Sequence, residues 1–442
     1  MGAEHKQRVV SWDIFDTVIA RRCGSPRRLF EIVGKKARCD DFVSRRAVEE
    51  HKCQRSGREY ALRDIVPETA VVEFQEEINQ VFAVKAIAEQ IRDDDILVSD
   101  MYLSEYQIRD LLEAAGINTK AKIYVSNHGK ATGTMWQRLL EQYDIANHVG
   151  DNPHGDKRVP ETYGIKTVDA GTGFNAVERV YASESEDLAW WVRNHRLQLP
   201  SSEPSEFRLA MLQVECNAPL LLAACQDLHD CVTEHGFTKV LFLSRDCCLF
   251  SMMWKQLHPD MAAEYIYSSR DCWRGASGGY QEYLTSKMHG HEKTTSFVDL
   301  ATSTQSMAIG ASKMGLGRPC VYTPFHLDNM ERRPTVHVNA SIKQSDVAVE
   351  NTYLEMLNYD RMWHVADVAG GKPVFEDEGE YDMQFVEGCH RVFESMVKDA
   401  PKTRIKNPAM VIEYAAKRIA AESGFLLDTF PGHMALMRRS HE

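Results

Sequence analysis

Polar residues gathered after short apolar segments give this sequence the groups that phosphoryl or metal chemistry uses. They are Asp13, Asp16 and Thr17, then Ser99 and Asp100, then Lys130, and finally Asp151, Asn152 and Asp156. A phosphoryl group in transfer spreads negative charge over its oxygens, so its site needs a divalent cation, a cationic side chain and hydroxyl or amide donors. This set of residues provides candidates for each.

The apolar segments before these residues are predicted strands of one parallel sheet. Strands are expected at residues 9–12, 96–98, 123–125, 148–149 and 165–168, with helices at 105–115 and 134–143. Strands that alternate with helices indicate a parallel sheet covered on both faces. Because the ligands of such sheets lie at the carboxyl ends of the strands, we expect Asp13, Ser99 and Asp151 to meet there.

Asp13 and Asp151 are the predicted ligand pair for Mg²⁺, which prefers oxygen ligands and keeps several waters. At the end of a strand, Asp13 could act as a nucleophile or as a metal ligand. Three histidines of the same region, His128, His148 and His154, lack the spacing of a zinc site and are interpreted as polar loop residues. Magnesium is therefore the expected cofactor.

These motifs, in this order, resemble those of the haloacid dehalogenase-like hydrolase superfamily over about residues 8–175. The resemblance implies a Rossmann-like α/β core with an inserted helical cap at about residues 20–92. It also implies that Asp13 is the nucleophile and forms an aspartyl-phosphate. Ser99 and Lys130 would then hold the transferring group.

For the metal, the resemblance implies that Asp151 binds Mg²⁺ together with the nucleophile, and that Asp156 supports the metal or Lys130. A finer pattern, which includes a strand end at Arg245 and Asp246, is similar to predicted hydrolases of this superfamily that are associated with cell-surface polysaccharide biosynthesis. That similarity implies a sugar phosphate or a nucleotide sugar as the substrate, and a cytoplasmic role.

One residue departs from the superfamily pattern, because Phe15 stands where its phosphatases usually have a second Asp that acts as the general acid. Asp16 or Asp100 could take over that role, or the leaving group could need no acid. Alternatively, the protein could be a catalytically weak ligand-binding or scaffold protein. A third reading is a metal-independent haloacid dehalogenase, but the intact motif at Asp151 favours phosphoryl chemistry.

The segment after the first motif is unusually basic for a chain with a net charge of -12. Residues 21–63 contain 13 Lys or Arg against 6 Asp or Glu, and a basic lid would attract an anionic small-molecule substrate. Nucleic acid is not expected, because few aromatic residues are interleaved with the basic ones. The predicted substrate contacts are Thr17, Arg21, Arg22, Asp100 and Asn152, with Arg27 and Arg28 as further candidates.

The length of 442 residues predicts at least two domains. The predicted division is a hydrolase domain at 1–198, a linker at 199–206 and a second α/β domain with C-terminal helices at 207–442. In the second domain, polar residues again follow predicted strands and suggest an anion or sugar-phosphate site. These candidates are Arg245, Asp246, Arg270, Asp299, Thr302, Ser303 and Thr304.

The expected environment is reducing. An odd count of 11 Cys without a CxxC pair, in a chain that shows no export signal, predicts free thiols and a cytoplasmic protein. The longest apolar run, residues 218–225, is too short for a membrane-spanning helix, so no span is expected. The sequence leaves a homo-oligomer open.

Overall fold

The protein is a mixed α/β chain that forms two compact units, each built around a parallel sheet. One unit comprises Met1–Arg179 and Arg193–Ser201, and the other comprises Val180–Val192 and Ser202–Glu442. The computed structural model describes residues 6–327, 336–344, 350–362, 364–376 and 383–429.

The first unit contains a five-stranded parallel sheet in the order β5-β4-β1-β6-β7 and a small antiparallel pair, β2-β3. From β1 the chain moves outward to β4 and β5 and then crosses to the other side for β6 and β7. The strand order therefore reverses at β1, which is where ligands of such sheets bind. The strands are β1 (Gln7–Asp13), β2 (Ile19–Arg21), β3 (Val81–Ala83), β4 (Ile96–Ser99), β5 (Lys122–Val125), β6 (Tyr143–Gly150) and β7 (Thr167–Asp169).

Both faces of this sheet are covered, because alternate residues of each strand point to opposite sides. Trp12 and Leu97 belong to one buried cluster, whereas Val9 and Ile96 belong to the other, which contains Trp136. The helices of this unit, some of which are single turns, are α1 (Pro26–Ala37), α2 (Phe42–Arg55), α3 (Leu62–Ile65), α4 (Ala70–Gln80), α5 (Lys85–Ala88), α6 (Glu105–Ala114), α7 (Gly129–Thr132), α8 (Thr134–Gln142) and α9 (Val159–Thr162).

Helices α1 to α4 form an insertion between β2 and β3, in the region expected to hold a helical cap. Ser25 accepts a hydrogen bond from the N–H of Arg28 and Pro26 opens α1, as is typical of a helix start. Val33 and Phe42 of the insertion pack in the same buried cluster as Trp12 of the sheet. The insertion is therefore continuous with the core of its unit.

The second unit contains a six-stranded parallel sheet in the order β9-β8-β10-β12, with β11 and β13 both paired to β12. A separate antiparallel pair, β14-β15, completes its strands. The strands are β8 (Lys239–Leu243), β9 (Ala262–Ile266), β10 (Thr295–Val298), β11 (Ala301–Thr302), β12 (Cys320–His326), β13 (His337–Lys343), β14 (Val365–Ala369) and β15 (Lys372–Phe375).

Helices cover this second sheet, and Asn407 caps the start of the helix Pro408–Ala421 by accepting from the N–H of Met410. The chain from 176 onward carries α10 (Ala176–Glu184), α11 (Glu186–Leu197), α12 (Pro204–Leu212), α13 (Ala218–His235), α14 (Cys248–Leu257), α15 (Arg270–Gly275), α16 (Gly278–Met288), α17 (Gln305–Lys313), α18 (Thr352–Met356), α19 (Met383–Val397), α20 (Pro408–Ala421) and α21 (Ser423–Thr429).

The boundary between the units differs from the predicted linker at 199–206. Helix α12 begins inside that segment, and Val180–Val192 belongs to the second unit. The reason is a pair of buried aromatic residues. The Tyr181 hydroxyl donates to the carbonyl of Glu215 at 2.7 Å, and the Trp191 indole donates to the carbonyl of Met396 at 3.1 Å.

One helical stretch of the described residues, Pro204–His235, is long and apolar enough by composition to cross a membrane. However, 83% of its most apolar window is buried inside the protein, as is usual for a core helix. This burial is consistent with the expectation that the chain has no membrane span. All eleven cysteines are free, as expected.

Candidate active site

The carboxyl ends of β1, β4 and β6 bring together the residues that the sequence predicts for chemistry. Asp13 is the last residue of β1, Ser99 ends β4, and Asp151 directly follows β6. Asp13 pairs in register with Val98, and its neighbour Trp12 pairs with Val149, so the three strand ends lie at one edge. The sheet therefore aligns these side chains.

Three carboxylates form a cluster at this edge. One oxygen from each of Asp13, Asp151 and Asp156 lies within 4.8 Å of the other two. Asp13 and Asp156 are buried, whereas Asp151 reaches the surface. Carboxylate oxygens at this spacing suit a hard divalent cation such as Mg²⁺.

Lys130 supplies the cationic group of the site. It lies in the single turn α7, is only 1% exposed, and contacts both Asp13 and Asp156, with 2.6 Å between its Nζ and the Asp156 Oδ1. The two carboxylates raise the pKa of Lys130 against the opposing effect of burial. The lysine is therefore a fixed positive charge.

Asp156 is held by a buried histidine, His148. His148 was expected to be a polar loop residue, but it lies inside β6 and is buried. Its Nε2 lies 3.0 Å from the Asp156 Oδ1, and its Nδ1 lies 2.8 Å from the Ser11 hydroxyl. The available signal was its place in a strand, which the two exposed histidines nearby, His128 and His154, do not share.

The π-helical turn Pro153–Arg158 presents Asp156 to the cluster, and such turns are frequent at functional sites. Gly150 makes room for it, because a Cβ atom at that position would overlap with the Asp156 carboxylate. The Asn152 side chain caps the turn by accepting from the N–H groups of His154 and Gly155. Asn152, predicted to bind substrate, therefore has a structural contact.

The carboxylates titrate differently according to their surroundings. Loss of hydration in the crevice raises the pKa of Asp13 to about 7, and the nearby charge of Asp156 adds to this against the effect of Lys130. Loss of hydration, followed by the charges of Asp13, Asp16 and Asp156, raises the pKa of Asp151 to about 8. Asp13 and Asp151 therefore both resist ionisation. A divalent cation bound between them would favour their charged forms, because its charge offsets their mutual repulsion.

Hydrogen bonds have the opposite effect on Asp156. Burial alone would raise the pKa of this carboxyl, but the hydrogen bond from His148 and the charge of Lys130 lower it to about 2. Asp156 is therefore ionised and fully engaged by its protein partners. It fits a supporting role better than that of a primary metal ligand.

Asp16 faces a structural partner. Its backbone is left-handed, with φ of 53°, and its Oδ1 lies 3.0 Å from the Arg193 Nη2. Its carbonyl accepts a hydrogen bond from the Thr172 hydroxyl. An ion pair with Arg193 commits this carboxylate to a contact inside the first unit.

Two hydroxyl groups complete the crevice, both on fully buried residues. The Thr17 Oγ1 has no hydrogen-bond partner among the described residues. The Ser99 Oγ accepts from the N–H of Met101 at 3.3 Å, which leaves its proton available. An unsatisfied buried hydroxyl is costly, so it is a natural partner for a ligand oxygen. Asp100, which follows Ser99, is exposed. One of its carboxylate oxygens would lie 3.9 Å from a Cβ atom placed on Gly155.

The predicted contact of Arg21 with substrate is wrong. Arg21 is buried and forms a two-pronged ion pair with Glu77, with both distances 2.8 Å, while its guanidinium lies over the Phe15 ring. Arg22 is exposed and lies over the Phe82 ring, with a long hydrogen bond of 3.4 Å to Gln198. Of the two, Arg22 is the one accessible to a ligand.

The basic lid is also largely neutralised. Acidic residues of α3, of α4 and of the segment between them follow the counted segment, so residues 21–80 contain 13 basic against 11 acidic side chains. Besides the pair at Arg21, Arg46 binds Glu73, and Lys36 binds Glu76. In the folded protein, these ion pairs therefore offset part of the local positive charge that the sequence shows.

In the second unit, Asp246 follows β8 and Asp299 follows the adjacent strand β10. Their carboxylate oxygens lie within 4.8 Å of each other. Burial, then the charges of Asp299 and Glu355, raises the pKa of Asp246. Burial raises the pKa of Asp299 to about 6, although a hydrogen bond donated by Thr302 and the charge of Arg270 oppose it. Glu355 was not a predicted member of this cluster.

The remaining predicted residues of the second unit lie close to these carboxylates in the sequence. Arg245 precedes Asp246 and stacks over the Tyr359 ring. The Thr302 hydroxyl accepts from the N–H of Thr304, and Ser303 lies between these two residues before α17. The acidic side chains oppose an anion at this point, so the second anion site stays a prediction.

Neither a protein-family model nor a curated protein matches this sequence.

Proposed function

We propose that the first unit is a Mg²⁺-dependent phosphohydrolase or phosphotransferase that works through Asp13, as the resemblance to haloacid dehalogenase-like hydrolases implies. The observation that carries the proposal is the meeting of Asp13, Asp151 and Asp156 around the buried amine of Lys130. A divalent cation held by these carboxylates, together with the Lys130 amine and nearby hydroxyl groups, would suit the negatively charged oxygens of a phosphoryl group.

The donor set fits Mg²⁺. Asp13 and Asp151 would hold the ion, because each has a raised pKa that an adjacent cation would lower, while Asp156 is already engaged by Lys130. When bound, the ion would neutralise charge on the phosphoryl oxygens. All ligands are oxygen atoms, as Mg²⁺ requires.

In the first step, an oxygen of Asp13 would attack phosphorus while the bond to the leaving oxygen breaks, which gives an aspartyl-phosphate. Lys130 holds the attacking carboxylate and offers its charge to the transferring group. The hydroxyl groups of Thr17 and Ser99 could donate hydrogen bonds to the oxygens of the transferring phosphoryl group. Water, or an acceptor hydroxyl, would then take the phosphoryl group and release Asp13.

The leaving group determines the substrate class. Phe15 packs against Arg21 where an acid would stand, and Asp16 is paired with Arg193. Neither residue offers a proton to a departing alkoxide. We therefore favour substrates with a good leaving group, such as the phosphoanhydride of a nucleotide sugar, over simple sugar monoesters.

The test compares wild type with Asp13→Asn on a panel of phosphate esters and anhydrides, with Mg²⁺ or with EDTA. We expect phosphate release only from wild type with Mg²⁺, and faster release from anhydrides. Asp110→Asn is the matched control, since Asp110 is an exposed carboxylate of α6. It should retain full activity.

Two other results would favour the alternative functions, a binding or scaffold protein and a dehalogenase. Equal background release by wild type and Asp13→Asn, combined with Mg²⁺-dependent binding of fluoroberyllate, would identify a binding or scaffold protein, in line with the missing acid at Phe15. Halide release from 2-haloacids that survives EDTA would identify a dehalogenase.

A further inference from the structure

A second group of metal-binding side chains lies in the second unit, outside the proposed active site. Cys248, Asp360 and His390 each offer one ligand atom, and these atoms lie within 4.8 Å of one another. They come from the first residue of α14, from the segment before β14 and from the middle of α19. Three distant parts of the chain therefore converge on one point.

His390 has an unsatisfied ring nitrogen. The residue is fully buried, and its Nε2 lies 2.8 Å from the carbonyl of Tyr359, to which it donates. A neutral imidazole that donates from Nε2 carries a lone pair on Nδ1. That Nδ1 is buried and has no hydrogen-bond partner in the part of the chain that the structure describes.

The charged residues near His390 already have partners of their own. Glu394 lies 3.6 Å from the Nδ1 of His390, beyond hydrogen-bond distance, and it accepts from Arg361 at 3.0 Å. Arg361 also donates to Glu387 at 2.8 Å. The Asp360 carboxylate is positioned by the N–H of Arg361 at 2.7 Å. The open lone pair of His390 is therefore not explained by the adjacent ion pairs.

The ligand types point to a particular class of metal. Thiolate and imidazole select zinc and chemically similar ions, whereas Mg²⁺ takes oxygen ligands. A carboxylate completes many such sites. A metal-ligating histidine typically donates its other N–H to a carbonyl or carboxylate, as His390 does to Tyr359.

We propose that Cys248, Asp360 and His390 bind a Zn²⁺-type cation, with solvent in the fourth position. Binding releases the Cys248 proton to solvent, because the thiolate is the ligand. His390 then coordinates through the nitrogen that the protein leaves unsatisfied. This site is independent of the proposed chemistry at Asp13.

The test is a Co²⁺ titration of the metal-stripped full-length protein, followed by optical absorption. Co²⁺ bound to a thiolate gives an intense sulfur-to-metal charge-transfer band, which an all-oxygen site does not produce. We expect one such band that saturates at one ion per chain and is displaced by Zn²⁺. Cys248→Ser should abolish the band, and His390→Gln should weaken Co²⁺ binding by more than about tenfold.

Cys53→Ser is the matched control, because Cys53 is a partly buried helical thiol in the first unit. It should leave the band unchanged. Absence of the band in wild type, or its persistence in Cys248→Ser and His390→Gln, would overturn the proposal. If Cys248→Ser is misfolded by circular dichroism, the His390→Gln result decides alone.

Discussion

At the scale of single residues, the carboxylate cluster holds more negative charge than its one lysine balances. The pKa of Asp13 is raised to about 7 and that of Asp151 to about 8, in both cases first by loss of hydration. An unfolded Asp titrates near pH 4. Between about pH 4 and about pH 8, these two carboxyl groups therefore bind more protons in the folded protein than in the unfolded chain.

This difference predicts a pH-dependent stability. The free energy of unfolding of the metal-free protein should fall from about pH 4 until the pH passes about 8, because the raised pKa values favour protonation in the folded state. Above about pH 7, Mg²⁺ should restore stability, since it binds the ionised carboxylates. Urea titrations with EDTA or with Mg²⁺ across this range measure both effects.

Asp151→Asn serves as the control for that series. It should make the decline with pH shallower and remove the stabilisation by Mg²⁺. A metal-free stability that rises between pH 5 and 8 would contradict the assignment.

A second prediction concerns His148, which positions Asp156 and does not itself touch the proposed substrate. His148→Leu removes its hydrogen bonds to Ser11 and Asp156. We expect a loss of about 1–3 kcal/mol of stability and a decrease of about tenfold or more in Mg²⁺ affinity. Calorimetric Mg²⁺ titration and urea unfolding measure these two quantities.

The exposed His154 provides the comparison, and His154→Leu should change neither quantity. If His148→Leu lost stability but kept its Mg²⁺ affinity, the histidine would have only a structural role.

At the scale of elements, buried ion pairs fix the inserted helices. Arg46 of α2 and Glu73 of α4 are both buried, with 3.0 Å between the Arg46 Nε and the Glu73 Oε2. Glu73→Gln would leave the guanidinium without its main partner, and should cost about 3–5 kcal/mol. The pair of Arg45 and Glu68 joins the same region but is exposed.

Glu68→Gln is therefore the matched variant, with an expected change within about 0.5 kcal/mol. Chemical unfolding of the two variants under identical conditions makes the comparison. Equal losses would show that burial does not set the strength of these pairs.

The strands and most helices of the first unit could be predicted because their signals are local. A short apolar run predicts β1, and Ser104 with Gln107 marks the start of α6. The error at Arg21 arose because its partner, Glu77, lies 56 residues away. For His148, the predicted strand at 148–149 was a local signal of burial, but its ring contact with Trp136 depends on a different element, helix α8.

At the scale of the whole molecule, the proposed ligands of Mg²⁺ all belong to the first unit. Hydrogen–deuterium exchange should therefore show Mg²⁺-dependent protection in peptides before residue 180, around Asp13 and Asp151. Peptides from Ser202 onward should be unaffected. Protection by Mg²⁺ that appears in the second unit, or that survives in Asp151→Asn, would contradict the proposed site.

The chain path at the boundary has a practical consequence for anyone who prepares shorter versions of the protein. Helix α11 begins among residues of the second unit, yet its last residues, from Arg193 to Leu197, belong to the first unit and include Arg193, the partner of Asp16. A fragment that stops at Arg179 discards that partner. One that continues to Ser201 keeps it but strips Tyr181 and Trp191 of their buried surroundings. Neither cut yields a clean fragment, so recombinant work on the first unit is best done with the intact polypeptide.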